Sequence, residues 1–134
     1  VLYLLDTNIC SAIVKRDAAV RSKLQTIDPA DVCISAITRA EIRFGLARRP
    51  EATKLAEAVN AVLQFIRTEP WDSATADRHG LLRAHLRNEG RPIGDFDEMI
   101  AAHALTLGAV LVTNNEKHFR QVPGLKLENW LNNH

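Results

Sequence analysis

Val1-Leu-Tyr-Leu-Leu-Asp6-Thr7-Asn8 opens the chain, and the reading of this stretch decides the fold. Apolar residues run directly into a carboxylate, and the pattern then turns polar. A short unbroken apolar run suits a strand buried on both faces, as in a parallel sheet, better than a half-exposed one. A second run of the same kind, Ala109-Val-Leu-Val-Thr113, also ends in a polar step, Asn114-Asn115-Glu116. Two parallel strands that end this way bring their polar residues side by side at the carboxyl edge. Open α/β sheets bind ligands at that edge. Asp6 is therefore expected at the working edge of the sheet.

The stretches between these runs alternate in type. Asn8 can cap a short helix to about residue 15, and a second helix is expected over 18–26 before Asp28-Pro29 breaks the chain. Val32-Cys33-Ile34 reads as a strand, followed by a helix from about residue 37. Leu55, Val59, Val62, Leu63 and Ile66 keep helical spacing over about 51–67, and 68–71 reads as extended. Asp72 or Ser73 caps a helix to about residue 88, closed by Gly90. Gly94 or Asp95 starts another, which runs to Leu107 and stops at Gly108. A helical turn at His118-Phe119 and a brief extended piece over 125–127 follow. This alternation predicts an α/β/α sandwich with a central, mostly parallel sheet flanked by helices. At 134 residues, a single domain over 1–134 is expected.

Composition excludes little. The chain is 46% hydrophobic and 25% charged, which is ordinary for a globular protein. A formal net charge of +1 makes any nucleic-acid argument depend on local patches. Cys10 and Cys33 lie in apolar surroundings without C-x-x-C spacing, so they are expected as reduced core thiols of a cytoplasmic protein. No run is long enough to cross a membrane.

Two acids break the helical patterns. In the helix after the Val32 strand, Ile37, Ala40, Phe44 and Ala47 form one apolar arc, and Ile42 with Leu46 another. Glu41 falls between them, where a carboxylate is costly unless paired or bound to a cation. In Asp95-Phe-Asp97-Glu98-Met-Ile-Ala-Ala-His103-Ala104, Asp97 shares the sheet-facing side with Ile100, Ala101 and Ala104, whereas Asp95 and Glu98 are expected to point away. His103 reads as a packed residue rather than a ligand. Asp6, Glu41 and Asp97 come from separate elements that can point to one edge. Three clustered carboxylates repel one another and raise their pKa values unless a cation neutralises them. Mg²⁺ or Mn²⁺ suits such oxygen ligands. The chain holds no P-loop, no G-x-G-x-x-G and no Cys/His zinc set. Physical chemistry thus points to metal-assisted hydrolysis of a phosphodiester. A rim of cations would be needed to hold phosphates above an acidic floor. Arg39, Arg43, Arg83, Arg87 and Arg91 are the candidates.

Four motifs in order carry a resemblance over the whole chain. Leu-Leu-Asp6-Thr7-Asn8, Ile34-Ser35-x-Ile37-Thr38-x-x-Glu41-Ile42-x-x-Gly45, Asp97-x-x-Ile100-Ala101-x-x-Ala104 and Leu111-Val112-Thr113-Asn114-Asn115 resemble the signatures of the PIN domain. More closely, they resemble the VapC toxins of bacterial VapBC toxin–antitoxin modules. Pro92-x-Gly94-x-x-Asp97 is similar to the subgroup that cuts initiator tRNA in its anticodon region. The resemblance implies a bacterial, cytoplasmic, Mg²⁺-dependent endoribonuclease with tRNA as substrate. It implies that Asp6 and Asp97 bind the metal and that Glu41 is the third acid, acting through water or on the nucleophile. Thr7, Asn8 and Thr113 are then supporting neighbours. Many PIN domains carry a fourth acid after the last main strand. Here Asn115 stands nearest that position with Glu116 beside it, which favours one tightly held ion. The resemblance also implies a homodimer, a cognate VapB-type antitoxin whose tail blocks the acidic groove, and higher assembly when the two are bound. Asp-Thr-Asn after a first strand also resembles haloacid-dehalogenase-like phosphotransferases, but those place a second Asp where this chain has Asn8. The other alternative is a non-catalytic PIN-like module that binds RNA or a protein partner.

Overall fold

The computed structural model describes residues 1–131. Its centre is a sheet of five parallel strands in the order β3-β2-β1-β4-β5. These are β1 (Tyr3–Leu5), β2 (Val32–Ser35), β3 (Arg67–Glu69), β4 (Val110–Val112) and β5 (Lys126–Glu128). Seven helices connect and flank them: α1 (Thr7–Val14), α2 (Ala18–Gln25), α3 (Ala36–Ala47), α4 (Thr53–Phe65), α5 (Ser73–Asn88), α6 (Asp95–Leu107) and α7 (Glu116–Phe119). The chain builds outward from β1 to β2 and β3, then returns to place β4 on the other side of β1. That reversal is a topological switch point, the place in open α/β sheets where ligands bind beyond the strand ends.

Alternation along the strands divides the interior into two cores. Leu4, Cys33 and Leu111 face one side and pack with Leu82, Leu86, Ile100 and Phe119 of α5, α6 and α7. Leu5, Ile34 and Val112 face the other and pack with Ile9, Val20, Val59, Leu63 and Trp130. Cys10 and Cys33 are free and buried, and burial pushes both thiols up to about 12. Among the described residues, no helix is long and apolar enough to cross a membrane.

Most elements fall where the spacing predicts them, and the differences have local causes. Asp6, not Asn8, caps α1: its Oδ1 accepts the Thr7 N–H at 2.8 Å, which frees Asn8 to act inside the first turn. The 51–67 helix is shorter at both ends, because Ile66 leaves it extended and Arg67 joins β3. On α3 the first arc behaves as core only at its start, where Ile37 packs inward. Ile42 and Leu46 pack inward, whereas Ala40, Phe44 and Ala47 are exposed and the Arg48 guanidinium lies over the Phe44 ring. Helix α6 starts after Gly94, whose φ of 103° suits only glycine, and ends at left-handed Gly108.

The middle of α6 is buried on almost every side, with Ala101, Ala102 and Ala104 at 0% exposure. These small side chains allow the close approach to sheet and neighbours that holds Asp97 in place. Ala101→Leu is therefore expected to overpack this contact and lower unfolding free energy by roughly 1–3 kcal/mol, read from urea denaturation. A loss below about 0.5 kcal/mol would show that α6 is not packed as described.

Candidate active site

The site begins at Asp6, immediately beyond β1. The register pairs Leu5 with Val112, so the next residues, Asp6 and Thr113, leave the sheet side by side. Asp6 is 6% exposed, and its carboxylate is held by three groups. The Thr7 N–H donates to Oδ1, while the Thr113 hydroxyl at 2.9 Å and the Asn8 amide at 3.1 Å donate to Oδ2. The Thr113 hydroxyl in turn accepts from the Asn115 N–H at 3.0 Å and faces the Asn8 amide at 3.4 Å. Asn8 Oδ1 accepts the Asn114 N–H at 3.0 Å. The loops after β1 and β4 are thereby tied together across the switch point.

Glu41 reaches the same edge from α3. Its Oε1 accepts the Thr7 hydroxyl at 3.1 Å. Burial raises its pKa, the Thr7 hydrogen bond opposes the rise, and the charges of Asp6 and Asp97 add to it. Asp97, in the first turn of α6, is raised by burial and by Asp6, against the opposing hydrogen bond and charge of His118. The three acids predicted to meet are therefore close enough to perturb one another. Among the described residues no three or more acidic, His or Cys side chains are drawn into a ready-made metal cage. An open set of carboxylates still fits Mg²⁺ or Mn²⁺, which keep several waters and need few protein ligands.

The remaining predicted residues divide. Thr7, Asn8 and Thr113 all bond to site carboxylates, as above. Asn115 contributes through its backbone N–H, and its amide lies 3.1 Å from His118 Nδ1, the nitrogen that also faces Asp97. Glu116 turns away to pair with Arg120 at 3.5 Å. Glu98 does not point to solvent: it is 0% exposed, because α5 covers that side of α6. Arg87 Nη2 lies 3.5 Å from its Oε1, and the Ile93 N–H 3.4 Å from its Oε2. A wheel drawn against the sheet alone misses this second covered face. His103 is packed as expected, with Nδ1 2.8 Å from Ser35 Oγ, which also caps α3. His118 was missed. Its Nδ1 lies 2.9 Å from Asp97 Oδ2, a contact that only the folding of α7 beside α6 creates.

The arginine rim is partly engaged. Arg39 donates to Thr68, Arg43 to Asn60, and both Arg83 and Arg87 lie beside Asp95 at 3.7 and 3.3 Å. Breaking the exposed Arg83 pair costs little, whereas withdrawing Arg87 would strip a partner from buried Glu98.

Comparison with known proteins adds a family. A family model described as "PIN domain" matches residues 3–125. The chain is 36% identical over 129 residues to the tRNA(fMet)-specific endonuclease VapC of Shigella flexneri, covering 96% of this chain and 97% of that one. It is similar to the DNA-bound VapBC structure from Salmonella typhimurium, with a TM-score of 0.91, 31% identity and coverage of 97% and 98%. It is also similar to VapBC2 from Rickettsia felis bound to a promoter DNA fragment, with a TM-score of 0.90, 31% identity and coverage of 97% and 99%.

The raised acids have a consequence for stability. Between the unfolded pKa values, about 4, and the raised folded ones, the native protein holds more protons than the unfolded chain. Metal-free stability should therefore fall as pH rises through that window, and the full penalty should persist above it. Glu41→Gln should flatten part of this fall in denaturation curves taken across the window. A variant profile parallel to the wild type would refute the coupling of Glu41 to the cluster.

Proposed function

The chain belongs to the PIN-domain family, with full-length VapC relatives, and from that premise we propose that it is the toxin of a VapBC-type pair. In this reading it is a divalent-metal-dependent endoribonuclease that cuts tRNA, with initiator tRNA as the first candidate. The observation that supports the chemistry most is the convergence of Asp6, Glu41 and Asp97, from three separate elements, at the switch point of the sheet.

Asp6 and Asp97 would hold Mg²⁺, with Mn²⁺ as a substitute, and Glu41 would act through water. When bound, the cation supplies a Lewis acid for the phosphoryl oxygen and a lowered pKa for water. The protein's own groups do the rest. Thr7, Asn8 and Thr113 fix the orientation of Asp6 before any ligand arrives. Thr7 holds Glu41 by Oε1, leaving Oε2 to take a proton from an attacking water. Burial and its neighbours raise the proton affinity of Glu41, which suits it to that task. Arg83, whose pair with Asp95 is exposed, is the rim cation best able to turn toward phosphates, since Arg87 is tied to Glu98. A substrate with an exposed loop, as in an anticodon arm, offers unstacked nucleotides to such an edge.

The VapBC complexes among the similar structures support a VapB-type antitoxin as partner; a homodimer as the toxin unit and a bacterial cytoplasmic setting belong to the same reading. The rival reading, a non-catalytic binding module, has no need of three mutually repelling carboxylates.

Purified protein incubated with total tRNA in Mg²⁺ is expected to give discrete cuts that EDTA abolishes. Asp6→Asn and Asp97→Asn should each slow cleavage by about a hundredfold or more, the scale of losing roughly 3 kcal/mol of transition-state stabilisation. Cleavage by either variant at the wild-type rate would sink the site assignment. Intact tRNA in the presence of bound Mn²⁺ would exclude tRNA as the substrate.

A further inference from the structure

Asp6 and Asp97 are held in different ways. Asp6 has three donors, two of them within two residues of it in sequence. Asp97 has none from its own helix. Among the described residues, the side chain that bonds it is His118, with Nδ1 2.9 Å from Oδ2. Asp97 is also pushed by the charge of Asp6. A carboxylate torsion is soft, so without a partner this group would turn away from Asp6 and lose the orientation an ion requires.

His118 is well placed to prevent that. It lies on α7, whose next residue, Phe119, is 0% exposed within the core. The His118 backbone N–H donates to the Asn115 carbonyl at 3.1 Å. Asn115 in turn donates its N–H to Thr113, the residue that holds Asp6. One segment, 113–118, therefore carries a hydrogen-bonding hand for each aspartate: Thr113 for Asp6 and His118 for Asp97. With its hydrogen on Nδ1 the ring can donate to an ionised Asp97.

We propose that His118 is a positioning residue for the cation site, tying Asp97 Oδ2 and so fixing the orientation of the carboxylate near Asp6 and Glu41. This rests on the reading of those three acids as a divalent-cation site. Partners of this kind typically contribute 10- to 100-fold to metal affinity.

The test is Mn²⁺ binding to the purified full chain, measured by calorimetry for the wild type, Asp97→Asn, His118→Ala and His118→Asn. Far-UV circular dichroism would confirm that each is folded. Asp97→Asn should abolish uptake. His118→Ala should weaken it by about tenfold or more. His118→Asn places an amide hydrogen near the position of Nδ1–H and should recover most of the affinity. A merely structural role for the ring would not give that rescue. Wild-type affinity in His118→Ala, or equal losses in the Ala and Asn variants, would overturn the proposal while leaving the cation site standing. Equal uptake by the wild type and Asp97→Asn, or none by the wild type, would bring down the cation reading and this proposal with it.

Discussion

The carboxylate of Asp6 lies nearly buried at the carboxyl end of the central strand, and much of the structure follows from keeping it there. Burying such a group without partners is costly, and here three donors meet it: a backbone N–H, an amide and a hydroxyl. The hydroxyl belongs to Thr113, more than a hundred residues along the chain. It is within reach because β4 returns to pair with β1 and because Leu5 aligns with Val112. A slip of one residue in that register would turn each strand's side chains to the opposite face and separate Thr113 from Asp6. The order of the strands, the two cores that fix their faces and the polar step at each strand end all serve the same juxtaposition.

The other two acids reach this edge on helices and keep the charge excess unresolved. Glu41 stands on α3, whose Ile37 leans on one core and whose Ile42 and Leu46 lean on the other. The helix straddles the sheet edge and carries Glu41 into the crevice. Asp97 is delivered by a helix of buried alanines. Glu41 and Asp97 are both displaced above the ordinary carboxylate range by burial and by like charge. The protein thus holds unfavourable electrostatics in place by packing, an arrangement that favours a cation as guest. Several neighbouring arginines stabilise the scaffold instead, with Arg87 bound to buried Glu98.

Much of this was legible in the sequence. The apolar runs that end at Asp6 and Thr113 disclosed a parallel sheet and its working edge. The helical spacing marked Glu41 and Asp97 as inward-leaning acids, and in the structure both lie near enough to Asp6 to feel its charge. What stayed hidden depended on contacts between elements far apart in the chain. Glu98 lies opposite the sheet-facing side of α6, and only the packing of α5 shows that this side is covered too. Phe44 belongs to an arc that looks apolar on a wheel yet stands exposed, because α3 overhangs the edge. His118 follows an unremarkable polar turn, and nothing in its neighbours signals that α7 brings it to Asp97. The capping of α1 by Asp6 rather than Asn8 has a local cause. Both residue types cap helices well, but α1 begins at Thr7 directly after Asp6, which places Asn8 inside its first turn.

The central claim is that the crevice between β1 and β4 holds one divalent ion on Asp6 and Asp97. Anomalous diffraction from crystals of the protein soaked in Mn²⁺ tests it most directly. The account predicts a single strong manganese peak in contact with both carboxylates, beyond the carboxyl ends of β1 and β4 and within a water's reach of Glu41. A map with no peak there, or with manganese bound only at another set of acids, would contradict it.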